Sequence, residues 1–303
     1  MKYYVIDCNY LCYKAHYTMG QLQYQGQSTG VIFGFLQQIL NMAETFETNK
    51  FIFIWDSKES RRKEIYPGYK KGRHEDLTPK EREELYACYD QMNLFYDEIL
   101  VEIGFTNNFK QEGYEGDDLM ARLVRQEEYA DDDFTLCASD HDLYYLLAHN
   151  VRMMTVERDQ FIFYTLKKYR EEWGGITPED WLMVKQIAGC HSDKVPGCGR
   201  DINNPENIIA RIAEKTAADY ILKNLKPTTK AYKRIDSAEG REIIERNEKL
   251  IKIPFPGTLP LTIVKNNFSR RGMKQIFRRY GLNEFLVDRA DEWDRLLTGD
   301  YSL

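Results

Sequence analysis

Tyr114-Glu115-Gly116-Asp117-Asp118-Leu119-Met120-Ala121-Arg122-Leu123-Val124 sets three carboxylates within four residues at the head of an apolar-periodic run. The pattern predicts the first turn of a helix, where unpaired amides and the macrodipole favour anions. A charged helix start needs no other acids, whereas a hard-cation site must recruit carboxylates from elsewhere, because one turn cannot surround an ion that takes six oxygens.

Such partners stand at the ends of predicted strands. Tyr3-Tyr4-Val5-Ile6-Asp7 and Phe51-Ile52-Phe53-Ile54-Trp55-Asp56 read as buried strands that each finish on an acid. Between them Val31, Phe35, Leu36, Ile39, Ala43 and Phe46 recur at helical spacing from about residue 28, which makes a βαβ unit with parallel strands. Phe134-Thr135-Leu136-Cys137-Ala138 predicts a third core strand that delivers Ser139-Asp140-His141-Asp142 at its end. In open parallel sheets, sites form outside the carboxyl ends of strands.

The remaining elements follow in chain order. Residues 57–74 carry seven Lys or Arg (Lys58, Arg61, Arg62, Lys63, Lys70, Lys71, Arg73) against two Glu, broken by Pro67-Gly68 and Gly72, and read as a mobile basic loop. Thr78 with Pro79 behind it starts a long helix through Leu85, Cys88, Met92, Phe95, Ile99 and Ile103. Residues 151–164 hold one or two further strands, and the chain turns helical from about 178, which puts a boundary near 175. Gly189-Cys190-His191-Ser192-Asp193-Lys194-Val195-Pro196-Gly197-Cys198-Gly199 is a glycine-bounded turn between helices, whose amides could grip phosphate without reading bases. Later helices are expected over 215–225, 238–251 and 283–297, and residues 265–280 form a second basic run, with six Lys or Arg and no acid.

The whole-chain figures set limits on these readings. The 303 residues suffice for one large α/β domain or two smaller ones, and 43 % hydrophobic with 13 % aromatic residues describes a globular chain. A net charge of −6 is unusual for a nucleic-acid binder, but basic side chains cluster locally and bound metal would cancel acids. Six cysteines without a CxxC pair are expected as reduced thiols with no zinc site. No spanning segment and no signal-peptide core is evident, so a soluble cytoplasmic protein without membrane contact is expected.

Asp7, Asp56, Glu115, Asp117, Asp118, Asp140 and Asp142 thus come from four segments. Converging carboxylates raise one another's pKa unless cations intervene. All-oxygen ligation suits Mg²⁺ or Mn²⁺, and two such ions ~4 Å apart clamp an in-line phosphoryl displacement. No GxxxxGK[ST] loop, no GxGxxG after the first strand and no nucleophilic serine is present. A metal-dependent phosphodiesterase beside a basic loop is the chemistry these residues support.

The order of motifs resembles the 5′ nuclease superfamily, which comprises flap endonucleases, the 5′ nuclease domain of bacterial DNA polymerase I and phage 5′ exonucleases or ribonucleases H. The likeness runs over roughly residues 1–220. Val5-Ile6-Asp7 and Trp55-Asp56 resemble the family's first two acidic strands. Tyr69-Lys70-Lys71-Gly72-Arg73 resembles its Tyr-Lys-x-x-Arg, Glu115-Gly116-Asp117-Asp118 its Glu-Ala-Asp-Asp, and Ser139-Asp140-His141-Asp142 its Thr/Ser-Asp-x-Asp. The resemblance implies an α/β, Rossmann-like (PIN-like) and mostly parallel sheet flanked by helices. It would comprise a nuclease core at residues 1–175 with a helical arch at about 57–104, then a helical region at 176–303 with a helix-three-turn-helix. It implies two Mg²⁺ ions, with Mn²⁺ as substitute: Asp7, Asp56, Glu115 and Asp117 for the first, Asp118, Asp140, Asp142 and Asp193 for the second. Lys70 and Arg73 would stabilise charge on the reacting phosphate. Nucleic-acid contacts would fall to Arg61, Arg62, Lys63, Tyr69, Lys71, Lys194, Gly197, Gly199 and Lys215.

Two departures bear on the second ion and on the K⁺ ion that the family's turn carries. Cys190 stands where the family has Asp and Lys194 where it has Asn, and an apparent insertion separates Gly199 from Lys215-Thr216-Ala217. With no polymerase domain attached, the chain looks most like the stand-alone phage proteins. The expectation is a monomeric 5′-3′ exonuclease or flap endonuclease acting in replication or repair on branched or 5′-ended DNA and RNA–DNA duplex, in a bacterial host's cytoplasm if phage-encoded. Its partners would be a single-strand-binding protein or a sliding clamp. The rivals are a PIN-type RNA nuclease and a non-catalytic binder of branched DNA.

Overall fold

The computed structural model describes residues 1–157 and 160–301. Its centre is a six-stranded sheet built from β1 (Lys2–Asp7), β2 (Phe51–Ile54), β3 (Asn108–Phe109), β4 (Asp133–Cys137), β5 (Val151–Glu157) and β6 (Gln160–Tyr164), ordered 3-2-1-4-5-6. All neighbours are parallel except β5 and β6. Tyr4 pairs with Phe51 on one side of β1, and Tyr3 with Phe134 on the other. The direction of winding reverses between β1 and β4, so the crevice above their carboxyl ends is where such a sheet places a site.

Both faces of the sheet are covered, which is why its strands read as continuous apolar runs. Successive side chains take opposite faces. Tyr4, Ile6, Phe51 and Phe53 join one core, while Val5, Ile52, Ile54 and Leu136 join the other. The first core is closed by α1 (Cys8–Met19), α2 (Gly30–Phe46) and α3 (Pro79–Leu94), the last prolonged by a π-helical turn (Phe95–Ile99) and one further α-turn (Leu100–Ile103). Thr78 and Glu81 close a capping box at the start of α3: the Thr78 hydroxyl accepts from Glu81 N–H, and the Glu81 carboxylate from Thr78 N–H. The second core is closed by α4 (Gly116–Val124), α5 (Pro178–Ala188), α6 (Glu214–Ile221) and α7 (Ala238–Ile251).

The expected boundary near 175 does not divide two cores. Past α7 the chain runs back along the sheet edge, and α8 (Arg270–Arg279), a short helix (Asn283–Leu286) and α9 (Ala290–Thr298) pack Met273, Ile276, Phe277, Phe285 and Trp293 into the core of α1 and α2. The rings of Phe33 and Phe285 stack at 5.0 Å. The return passes Gly104, where φ is +100° and a Cβ would stand 2.0 Å from the Asn267 carbonyl, so only glycine admits the returning segment there.

Three expectations change. The helix expected over 283–297 breaks into Asn283–Leu286 and α9. The basic run at 265–280 contains α8, its cations outside and its apolar residues inside. The loop expected to be mobile at 57–74 holds a short helix (Arg62–Ile65) and is tied down at Arg62, Tyr69 and Lys70, as its contacts below describe. Among the described residues no helix is long and apolar enough to cross a membrane.

Candidate metal centre

Four carboxylates meet at the winding reversal. Asp7 ends β1 and caps α1, accepting from Tyr10 N–H at 2.9 Å. Asp56 follows β2 and accepts from Gly116 N–H at 2.7 Å, which ties the second strand to the start of α4. Asp117 lies in the first turn of α4, and Asp140 follows β4, accepting from Asp142 N–H at 2.8 Å. Burial raises Asp7 to about 7, with Asp56 and Asp140 adding their repulsion. Burial also pushes Asp117 well above the usual carboxylate range, and Asp140, Asp7, Asp56 and Asp142 push it further. Asp56 is raised by burial as well, although Lys70 works against it. None of these four has an ion pair among the described residues.

Glu115 sits at the rim of this group with cations of its own. Lys70 Nζ is 3.0 Å from Oε1, an ion pair not aligned as a hydrogen bond, and the Tyr69 hydroxyl donates to Oε2 at 2.9 Å. Burial alone would raise the Glu115 pKa, but Lys70 and Arg62 outweigh it and hold the group below its ordinary value. Asp193, in the turn after α5, takes Arg73 at 3.2 Å, Lys70 at 3.7 Å and the Tyr69 hydroxyl at 3.1 Å. Its carbonyl also accepts from Lys70 N–H at 2.8 Å, so turn and loop are joined backbone to backbone as well as through side chains.

Ligand atoms of Asp142, Cys190 and Asp193 lie within 4.8 Å of one another. Burial pushes Asp142 up to about 7, with Asp140 adding to it and Lys185 opposing. Burial pushes the Cys190 thiol to about 12, helped by Asp142 and Asp193, so at neutral pH it is a protonated, soft neighbour bonded to Ser192 at 3.0 Å.

Two expected site residues serve the interior instead. Asp118 is wholly buried, and Oδ1 and Oδ2 accept from Arg62 Nη2 and Nη1, each at 2.7 Å. Oδ1 accepts further from Phe255 N–H at 2.8 Å and Oδ2 from Glu115 N–H at 3.1 Å. Four donors saturate this carboxylate and leave it no lone pair for an ion. Arg62 is correspondingly 3 % exposed, its Nε donating to the Leu250 carbonyl, so it cannot touch nucleic acid. Tyr69 is also buried and faces carboxylates rather than solvent.

The other expected contact residues divide. Arg61, Lys63, Lys71, Lys194 and Lys215 are exposed, Arg61 against Tyr114 and Lys215 over the Trp173 ring. Lys71 and Lys194 line a cavity of about 790 Å³ between the 66–76 and 190–213 segments. Gly197 and Gly199 are buried, and the insertion covers Gly199, whose carbonyl accepts from Ile209 and Ala210 N–H.

Lys185 escaped the sequence reading. It lies four residues after buried Trp181, on the inward face of α5, and a cation at that position was the available signal.

Solved structures share this fold. The T5 5′-exonuclease with bound zinc superposes with a TM-score of 0.67 at 19 % identity, over 84 % of this chain and 90 % of that one. Flap endonuclease-1 from Methanococcus jannaschii gives 0.50 at 14 %, over 98 % and 92 %. DNA polymerase I of Bacillus subtilis is 25 % identical over an alignment of 316 positions that covers 99 % of this chain but 33 % of the polymerase. That of Chloroflexus aurantiacus is 25 % identical over 75 % of this chain and 24 % of its own length, so the chain spans a quarter to a third of these curated relatives. Residues 2–174 carry all the gathered carboxylates except Asp193, and they match the 5′-3′ exonuclease, N-terminal resolvase-like domain, the family to which this chain belongs.

Proposed function

We propose that the protein is a structure-specific 5′ nuclease, a 5′-3′ exonuclease and flap endonuclease that hydrolyses phosphodiester bonds in DNA and in RNA–DNA duplex. The observation that carries this is the group Asp7, Asp56, Asp117 and Asp140, four acids without a cation, beside the two cations Lys70 and Arg73. Only oxygen donors line the group, which fits Mg²⁺, with Mn²⁺ as substitute. Asp7, Asp56, Asp117 and Asp140 would hold the first ion, with Glu115 at its edge; Asp142 and Asp193 would be available to a second. Divalent ions bound there supply a water of lowered pKa and neutralise charge on the leaving oxygen.

The chain's own residues do the rest. Lys70 and Arg73 would turn from Glu115 and Asp193 toward the non-bridging oxygens of the scissile phosphate, where their charge offsets what develops in the transition state. Tyr69 holds the two segments in register through its bonds to Glu115 and Asp193. Exposed Arg61, Lys63, Lys71, Lys194 and Lys215 would take backbone phosphates, which position a substrate without reading its sequence. A K⁺ ion in the turn would need carbonyls other than those of Gln186 and Pro196, since these accept from Asn247 and Arg246 side chains. The six cysteines are all unpaired, which agrees with a cytoplasmic site of action, and a single-strand-binding protein or sliding clamp would bring a monomer to its ends.

Cleavage of a 5′-labelled DNA flap in Mg²⁺, stopped by a chelator and sized by gel, tests the proposal. Binding without cleavage would make the chain a branched-DNA binder. Preference for unstructured RNA would make it a nuclease of PIN type.

A further inference from the structure

The two carboxylate groups differ in how their charge is met. The quartet of Asp7, Asp56, Asp117 and Asp140 has no ion pair among the described residues, Lys70 and Arg73 acting on Asp56 only from beyond pairing distance, whereas the second cluster has a cation buried inside it. Lys185 rises from α5 with its side chain 7 % exposed, its ammonium 2.9 Å from Asp142 and 2.9 Å from Glu214. Glu214 opens α6 and is delivered there by the segment inserted after Gly199. Arg73 and Lys70 meet Asp193 from the other side, at 3.2 and 3.7 Å. Cys190 completes the cluster with a thiol bonded to Ser192 rather than with another charge.

We infer that Lys185 is a built-in cation of the Asp142, Cys190 and Asp193 cluster, so that the chain holds one divalent ion strongly at the quartet and admits a second only in competition with this ammonium. The inference deepens the metal-dependent reading above. A lysine ammonium is a compact, strongly hydrated charge, and it stays buried only where carboxylates surround it. A divalent ion drawing on Asp142 would meet that charge within the same few ångströms, and the thiol of Cys190 offers it little in exchange.

Mn²⁺ binding to the full chain without nucleic acid, followed by calorimetry and by electron paramagnetic resonance, tests this independently of cleavage. The wild type should bind one Mn²⁺ tightly and a second far more weakly. Lys185→Met keeps the aliphatic stem and removes the charge, and it should tighten the second Mn²⁺ by roughly tenfold or more. Lys185→Arg should leave it weak. Two ions of equal affinity in the wild type, or an unchanged second ion in folded Lys185→Met, would overturn the inference. Should Lys185→Met not fold, acylation of the wild-type amine read by peptide mass decides. Reactivity of Lys185 should rise as the second Mn²⁺ enters, or stay low because no second ion enters at any concentration. Protection that persists with two ions bound overturns it. Neither outcome bears on whether the chain cleaves a flap, so the two proposals can fail separately.

Discussion

Asp117 and Asp118 are adjacent in sequence and opposite in use. Asp117 points into the unpaired quartet, and Asp118 turns inward to Arg62. Asp117→Asn should lower single-turnover cleavage by roughly a hundredfold or more, since it removes charge needed at the reacting phosphate, while equilibrium binding to duplex stays near wild type. Asp118→Asn and Arg62→Ala should instead destabilise the fold by roughly 3–5 kcal/mol each, as expected when one partner of a buried pair is removed. Chemical denaturation separates the two classes; a stable Arg62→Ala with weakened duplex binding would return that arginine to the surface. Burial and mutual repulsion of the carboxylates in both groups also set a pH dependence. Asp7 and Asp142 titrate at about 7 in the folded chain against 3.8 unfolded, so the native state binds the extra protons between these values. Their contribution to the stability of the metal-free protein should therefore be fully present below about pH 4 and be lost as pH rises through 7, with Asp117 and Asp56 adding losses of the same sign. Mg²⁺ should raise the melting temperature at pH 8 far more than at pH 5, because it replaces those protons. A melting curve in chelator that is flat from pH 5 to 8 would remove the quartet's repulsion from the account.

At the scale of elements, the π-helical turn and Gly104 end the long helix where the extended segment before α8 must pass. Asn267 N–H donates to the Gly104 carbonyl and Ser269 N–H to that of Ile103, both at 2.9 Å. Gly104→Ala would place a Cβ against the Asn267 carbonyl and force an unfavourable φ, a cost of roughly 1–3 kcal/mol. The returning segment should loosen before the sheet does, so limited proteolysis should cut within 257–269 faster than in the wild type. Equal cleavage rates would mean that the side-chain bonds of Asn107, Gln111, Gln126 and Tyr129 to residues 257–264 hold the segment without help from the Gly104 crossing.

For the whole molecule, α8 and α9 complete the core of α1 and α2 from the far end of the chain. Arg295 pairs with Glu44 and Arg289 with Asn41 across the same contact. A chain ended at residue 256 would bare Phe33, whose ring stacks on Phe285, and the α2 face that carries Asn41 and Glu44, and it should lose its cooperative melting transition and aggregate. Melting at the wild-type temperature by the shortened chain would show that the first 256 residues are a self-sufficient unit.

Local pattern determined much of this protein without help. Tyr4-Val5-Ile6 and Phe51-Ile52-Phe53-Ile54 are apolar at every position, which only a sheet buried on both faces explains, and the acid closing each run then has to lie at the sheet's carboxyl edge. Helix α1 was legible but unread, because its inward positions Cys8, Leu11, Cys12 and Ala15 are small or sulfur-bearing and the aromatic residues between them hide the period. In α8 the charges masked Met273, Ile276 and Phe277 in the same way. What only the tertiary structure decided is pairing at long range. Three acids in one stretch look alike as letters; Arg62, 56 residues from Asp118, takes that one for the core and leaves Asp117 to the site. Lys185 reaches Asp142 across 43 positions, and no spacing announces it. Whether a charge is met by a cation of the chain or left for an ion depends on which distant side chains the fold brings within about 4 Å, a distance at which Coulomb energy in a protein interior exceeds local preference.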